Sequence, residues 1–492
     1  MLNSLMQVVI QINKSVSRPP SLREIWPEER RITPGQTVLI KPNLVLDRHP
    51  RGNDVRCLVA RGEVLRQVLD RVATDLQGTG RIMVGDSPLQ TTSFEGALEA
   101  SGIGKAIKDF ERDTGHAVEL IDFRQVHADR DERGHIRSWK EVPGDPHGYV
   151  TYDLDGHSVL CPHEADSHKF RVSNYQAEDT MQYHGRNKHR YVIAKSVIDA
   201  DTIISLPKMK THCKVGVTLS MKNFVGTVGR KQCLAHHREG GAPGGGDEYP
   251  DKSQLKAISV WLENAIDGNP QPALRKIYKL AYRINERLIK TLGINPIRDG
   301  GWYGNDTCWR MTLDLVRIAI YGRQDGTLSD TPQRNIWTIV DGLIAGEGEG
   351  PLEATPVEAN ALVFGDNPLM TDIFTAALMG FDYRKIPLLR EATEIRTWPI
   401  WDAGCEMRDT GYGIRDAEVG GQRSEVGGQR SEVGGRKTVV GGRRSEGGSM
   451  LDIHSTCMVN GVAMTLEELA GSDVAMRFEA PMGWKGTMEW DA

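Results

Sequence analysis

An α/β fold, with a mostly parallel sheet flanked by helices in the Rossmann-like manner, is what the sequence predicts. Three observations point to it. Short β-rich runs alternate with helical periodicity through the first third of the chain, strand-like runs return after residue 200, and polar residues gather just behind them. Parallel strands need crossover connections, usually helical and right-handed, and open sheets of this kind carry their functional groups on loops after the carboxyl ends of strands.

The elements follow in order. Leu5–Ile10 is a short apolar run, read as a first strand or helix. No basic segment precedes it and no small-residue cleavage site follows, so a signal peptide is not expected. Thr37–Ile40 predicts a strand leading into Lys41, Pro42 and Asn43. Val64–Leu76 sets Val64, Leu65, Val68, Leu69, Val72 and Leu76 on one helical face. Arg81–Gly85 reads as the second strand, Phe94–Phe110 as the second helix and Ala117–Phe123 as the third strand. From about His127 to Phe170 the chain is polar and turn-rich. Strands resume at Thr202–Leu206, Ile336–Val340 and Ala361–Phe364, the last running through Gly365 and Asp366 into a helix over Leu369–Met379.

Ala273–Leu292 is the clearest amphipathic helix. Leu274, Ile277, Ala281, Ile284 and Leu288 share one side, which is expected to face the core. The other side carries Arg275, Lys276, Lys279, Arg283, Arg287 and Lys290 against Glu286 alone. That basic face reads as a solvated surface or as a docking surface for a protein partner.

The domain organisation reads as follows. Residues 1–125 form the βαβαβ amino-terminal part, 126–200 a polar, His-rich insertion, and 201–416 the core with its Lys-rich loop, basic helix and Asp/Gly motifs. In 417–450 the unit EVGGQRS recurs with variation from Glu418 to Ser445. Its paired glycines disfavour helix and leave almost nothing to bury, so a disordered insertion is expected. Residues 451–492 regain apolar content and read as a closing segment.

Composition removes several classes. Lys and Arg (61) nearly balance Asp and Glu (66), for a net charge of −5, so nucleic-acid binding driven by net charge is not expected. No run of 18 apolar residues suggests a membrane span. The seven cysteines never stand at C-x-x-C spacing, so no in-chain iron–sulfur cluster is expected, and reduced thiols in a cytoplasmic protein are the reading.

The densest chemistry lies in Asp201–His212 (DTIISLPKMKTH) and Leu219–Gly226 (LSMKNFVG). Lys208 and Lys210 stand two apart, which in extended chain puts both on one face, a clamp for phosphate or carboxylate. As solvent-facing cleft residues they should be removable without harm to folding. Lys41, Asn43 and Asn223 complete the expected anion site, beside a helix start near Thr218 whose free N–H groups would assist. His212, Lys222 and Asp86 are the candidate catalytic groups. Asp341, Glu347 and Asp366 offer oxygen ligands suited to a divalent metal, although Asp86 and Asp366 also suit helix capping. Twelve of the fourteen histidines fall between His116 and His237, and His184 and His189 in the tightest cluster are further metal candidates. Ten of these residues, from Lys41 to Asp366, are expected around one cleft.

The motifs Val38–Leu44, the Asp86 loop, DTIISLPKMKTH, LSMKNFVG, Asp341-Gly342 with Gly346–Pro351, and Gly365–Asp372 together resemble domain of unknown function 362. The likeness runs from about Val38 to Ala392, and Gly304–Leu315 matches the longer members. The resemblance implies membership of a family without an assigned activity, some of whose members carry ferredoxin-like cysteine clusters that this chain lacks. A fainter likeness links the K-x-K-x-H loop to the lactate racemase amino-terminal domain.

Three functions remain open at this level. The first is an enzyme acting on a small phosphorylated or carboxylated substrate, with a divalent metal as an expected aid. The second is a racemase or epimerase using His212 and a lysine for proton transfer. The third is a redox partner or scaffold docking through the basic helix.

Overall fold

A computed structural model describes residues 7–13, 20–130, 136–172, 175, 177–268, 271–401 and 456–490. The repeat segment 417–450 lies outside the described residues. One twelve-stranded sheet organises the rest. Its strands are β1 (Val8–Ile12), β2 (Thr37–Pro42), β3 (Arg81–Asp86), β4 (Val118–Asp122), β5 (Thr202–Leu206), β6 (Lys208–His212), β7 (Gly216–Thr218), β8 (Asn335–Glu347), β9 (Thr355–Val357), β10 (Ala361–Gly365), β11 (Thr456–Val459) and β12 (Val462–Thr465). Their main order is β12-β11-β1-β10-β8-β5-β2-β3-β4, with β6, β7 and β9 attached around β8.

The run β8-β5-β2-β3-β4 is parallel throughout, while β10 enters antiparallel to both β8 and β1. The sheet is therefore mixed, with a parallel block at its centre. Successive residues of each strand face opposite layers. Val38, Ile40, Ile82 and Val84 pack with Val64, Leu65, Val68 and Leu69 of the helix Gly62–Leu76. Leu39, Met83 and Ile203 enter the larger core, covered by the helices Cys308–Tyr321 and Pro368–Leu378.

Two sequence expectations change. The single helix over Phe94–Phe110 is two, Phe94–Ser101 and Ile103–Thr114, because Gly102 adopts φ 75° between them. That left-handed conformation is cheap only for glycine and ends a helix. The basic helix Pro272–Thr291 forms, but Leu274, Ile277, Ile284 and Leu288 face outward. It packs instead on the helix Gln254–Gly268 through Asn285, whose Nδ2 donates to Leu255 O and Ser259 Oγ, both at 2.7 Å, and through buried Ile289. No helix among the described residues is long and apolar enough to cross a membrane.

The polar stretch from 126 to 200 is more ordered than its composition suggests. It holds a hairpin, Val126–Arg130 with Ile136–Glu141, and the antiparallel pair Tyr149–Asp153 and Lys188–Ala194. Tyr152, Phe170, Tyr191 and Ile193 from this part are buried in the larger core.

Candidate functional site

A cleft of about 630 Å³ opens beyond the carboxyl ends of β2 and β3, and Lys41, Asn43, Asp86, Lys210, His212, Lys222 and Asn223 all line it. Lys41 sits near the end of β2 and Asp86 closes β3, so adjacent parallel strands deliver the two side chains together. Lys41 Nζ donates to Asp86 Oδ1 at 2.5 Å, and to Pro42 O and Asn223 Oδ1, each at 2.9 Å. Asp86 also accepts Leu44 N (2.6 Å) and Ser87 N (2.8 Å). Asn223 Nδ2 donates to Lys41 O (2.9 Å) and Ser205 Oγ (3.0 Å), tying its short helix to β2 and β5. The backbone closes directly over the ion pair at Gly226, where a Cβ would collide with Asp86 Oδ1 and stand 2.5 Å from Lys41 Nζ.

Four further lysines line this cleft, of which Lys214 donates to Asp299 O. Lys210 is buried and donates only to carbonyls, Leu58 O at 2.5 Å and Pro351 O at 3.3 Å; burial pushes its pKa down to about 7. Lys231 donates to Ser87 O at 2.6 Å and is likewise pushed down by burial to about 7. Lys222 is 7% exposed and its ammonium has no hydrogen-bond partner among the described residues; burial lowers its pKa. Of the other lining carboxylates, Glu349 and Glu353 are committed to Met482 N and Arg51, each at 2.6 Å, and Asp299 stands with His237 and Glu248. Positive charge therefore exceeds negative inside the cleft.

Two imidazoles offer complementary edges. His212 Nδ1 accepts Lys214 N at 3.1 Å, which leaves Nε2 carrying the proton of the neutral ring. His236 Nδ1 stands 2.9 Å from Leu234 O, to which it donates, leaving Nε2 as an acceptor. Burial first, and Lys222 next, hold both rings well below the usual histidine range, so both are neutral at pH 7. Asn43 Oδ1, Ser87 Oγ and Thr218 Oγ1 line the same cleft, buried and without protein partners among the described residues. Buried polar atoms nearly always find partners, so three orphans in one cleft mark a place for a polar ligand.

Comparison with known proteins shows the family. The model of a domain of unknown function (DUF362) matches residues 38–147 and 162–377. The chain belongs to the DUF362 family. A thylakoid-associated protein of Synechocystis, sll1697, is 23% identical over 212 residues, 43% of this chain and 44% of that protein. A crystal structure of a Thermotoga maritima protein covers 67% of this chain and 50% of its own, at 10% identity and a TM-score of 0.27. The chain thus spans about half, or less, of the relatives it matches.

In this DUF362 chain several expected site residues lie elsewhere. Lys208 is wholly buried and pairs with Asp341 at 2.8 Å, both 0% exposed, so neither lines the cleft. The expectation that Lys208 and Lys210 form one clamp fails because the register against β8 jumps between them, from Asp341 to Gly346. Lys210 is also too buried to be removed without loss. Asp366 sits past the far end of β10, bonded to Arg30 Nη2 (2.5 Å) and Gln7 N (3.0 Å), because β10 runs antiparallel to β8 and ends beside Thr338. Asn367, not Asp366, caps the following helix. Glu347 accepts Glu479 N at 2.8 Å. Asp341, Glu347 and Asp366 are therefore dispersed, each with its own partner, and make no common metal site. The helix near Thr218 is only Ser220–Asn223, and its first N–H groups donate to Asp372 at 2.7 and 2.9 Å.

His184 and His189 lie outside the cleft, in the larger core. His184 Nε2 donates to Cys233 O at 2.7 Å, and burial pushes its pKa down to about 4. His189 instead stands with Cys161 and Glu164, their ligand-type atoms within 4.8 Å of one another; His237, Glu248 and Asp299 form a similar group. Sequence reasoning missed Lys231 and the orphan hydroxyl of Thr218, whereas Ser87 stands with Lys41, Asn43 and Asp86 at a strand end, where functional groups are expected. No spacing marks Lys231, nine residues past Lys222; His236 carried a signal only as half of a His-His pair.

Proposed function

We propose that this DUF362 protein is an enzyme whose cleft binds a small carboxylated or phosphorylated substrate. The observation that carries this reading is the imbalance of charge: Lys41, Lys210, Lys222 and Lys231 converge on a cleft in which Asp86 is, among the described residues, the one carboxylate paired to any of them. Cations held at low solvent exposure are costly without a counter-charge. Lys222, without a protein partner among the described residues, is the direct contact; Asn43, Ser87 and Thr218 supply neutral hydrogen bonds. Lys41 is positioned by Asp86 and Asn223 and acts as a fixed positive charge behind them.

A second reading concerns the reaction. Burial pushes Lys210 and Lys231 down to about 7, which divides each between amine and ammonium at neutral pH. One as free amine and one as ammonium suits removal and return of a proton at a carbon beside a carbonyl, in the manner of a racemase or epimerase. Free cysteines at all six described positions support a reducing compartment, the cytoplasm, as the site of action.

Lys222→Ala is expected to weaken binding of sulfate or a small carboxylate by about 1.5–3 kcal/mol, the range for hydrogen bonds to charged groups. Thermal unfolding should hardly move, because removing this ammonium strands no protein acceptor. Calorimetric affinities equal for wild type and Lys222→Ala would remove the support for the reading.

A further inference from the structure

The hairpin formed by the helices Gln254–Gly268 and Pro272–Thr291 turns an apolar face away from the body. Ile277 (61% exposed), Leu280 (59%), Ile284 (53%) and Leu288 (47%) recur three and four residues apart, a single stripe along the second helix. Trp261 of the first helix is 60% exposed, and its ring meets Tyr278 edge-to-face at 5.8 Å, which joins the two helices into one surface. Beside the stripe runs a second row, Lys276, Arg283, Arg287 and Lys290, all exposed and none in an ion pair among the described residues. The one acid of this helix, Glu286, is turned to Ser259 (2.7 Å) and Arg298 (2.9 Å).

We propose that this hairpin is a peripheral anchor that lies on an anionic lipid bilayer, its Ile/Leu stripe in the upper acyl region and its basic row among the phosphate headgroups. A helix with a wide apolar face bordered by Lys and Arg lies in the interface plane and does not span, and Trp favours that level. Charge selects lipid over protein here. The cations are spread along the whole helix on a chain of net charge −5, so a protein partner would need acids at matched positions, whereas a bilayer presents negative charge at every point. A second copy would bring the same unpaired cations. The chain leaving the hairpin, Pro296–Asp299, lines the cleft, so anchor and site share a connection.

The test is flotation of the full-length protein with vesicles of phosphatidylcholine alone and of equimolar phosphatidylcholine and phosphatidylglycerol. Wild type should float with the mixed vesicles, far less with the neutral ones, and less again in high salt. Ile277→Asp with Ile284→Asp should cut the bound fraction at least about tenfold. Lys276→Glu with Arg287→Glu should cut it about fivefold for each charge removed. All four positions are exposed, so unchanged circular dichroism checks the fold, and Ile284→Ser alone serves if the double variant does not fold. Wild type that stays unfloated, or variants that float as wild type does, overturns the proposal. So does a dimer that Ile284→Ser dissociates without any flotation, which would assign the face to a second copy.

Discussion

Asp86→Ala should destabilise the fold by about 3–5 kcal/mol, the cost of leaving one member of a buried ion pair behind. The Lys41 side chain is 1% exposed and would keep only Pro42 O and Asn223 Oδ1, while Leu44 N would lose its acceptor and Ser87 N would keep Gly226 O alone. Anion binding should change too, because Lys41 would no longer be held in place. Lys41→Met with Asp86→Leu should recover much of the stability, since two apolar groups leave no buried charge, but not the binding. Denaturant unfolding of the three proteins checks this. A loss under about 0.5 kcal/mol for Asp86→Ala would mean that the pair is solvated.

Asp341→Ala should cost a similar amount, about 3–5 kcal/mol, through a different link. Lys208 and Asp341 are sealed from solvent, and Asp341 also accepts Arg61 N at 2.9 Å and Leu343 N at 3.1 Å. This pair fixes where β6 leaves β8, and neither side chain lines the cleft. At a temperature where the variant is still folded, its affinity for sulfate should match wild type. Stability lost without affinity would separate this structural pair from the Lys41–Asp86 pair; affinity lost in proportion would place Asp341 in the site.

The sheet was readable where period and composition agree. Ala361–Phe364 is uniformly apolar and Thr202–Leu206 carries only two small hydroxyl residues beside Ile203, Ile204 and Leu206, as suits strands covered on both faces, and both lie in the sheet's interior. Most of the cleft was readable for the same reason: Lys41, Asn43 and Asp86 follow strands of the parallel block. What failed was what pairing decides. The direction of β10 removed Asp366, and the shifted register at β6 turned Lys208 from a ligand clamp into a buried partner of Asp341. The outward face of Pro272–Thr291 failed differently, since amphipathic spacing shows that a helix has an apolar side but not what covers it.

The decisive measurement is the proton inventory of anion binding. Burial holds Lys210 and Lys231 at about 7, so near pH 8 both are mostly neutral in the free protein. A bound anion favours their ammonium forms and raises both values, so binding must take up protons. Affinity should then fall as pH rises through about 7, because the unbound protein no longer supplies the charged form. Sulfate, whose charge is constant over this range, is titrated near pH 8 in two buffers of different ionisation enthalpy. Net proton uptake that disappears in Lys210→Met with Lys231→Met, with affinity declining from about pH 6 to about pH 9, is what an anion site built on these lysines requires. Identical enthalpies in both buffers, with affinity independent of pH, would contradict it.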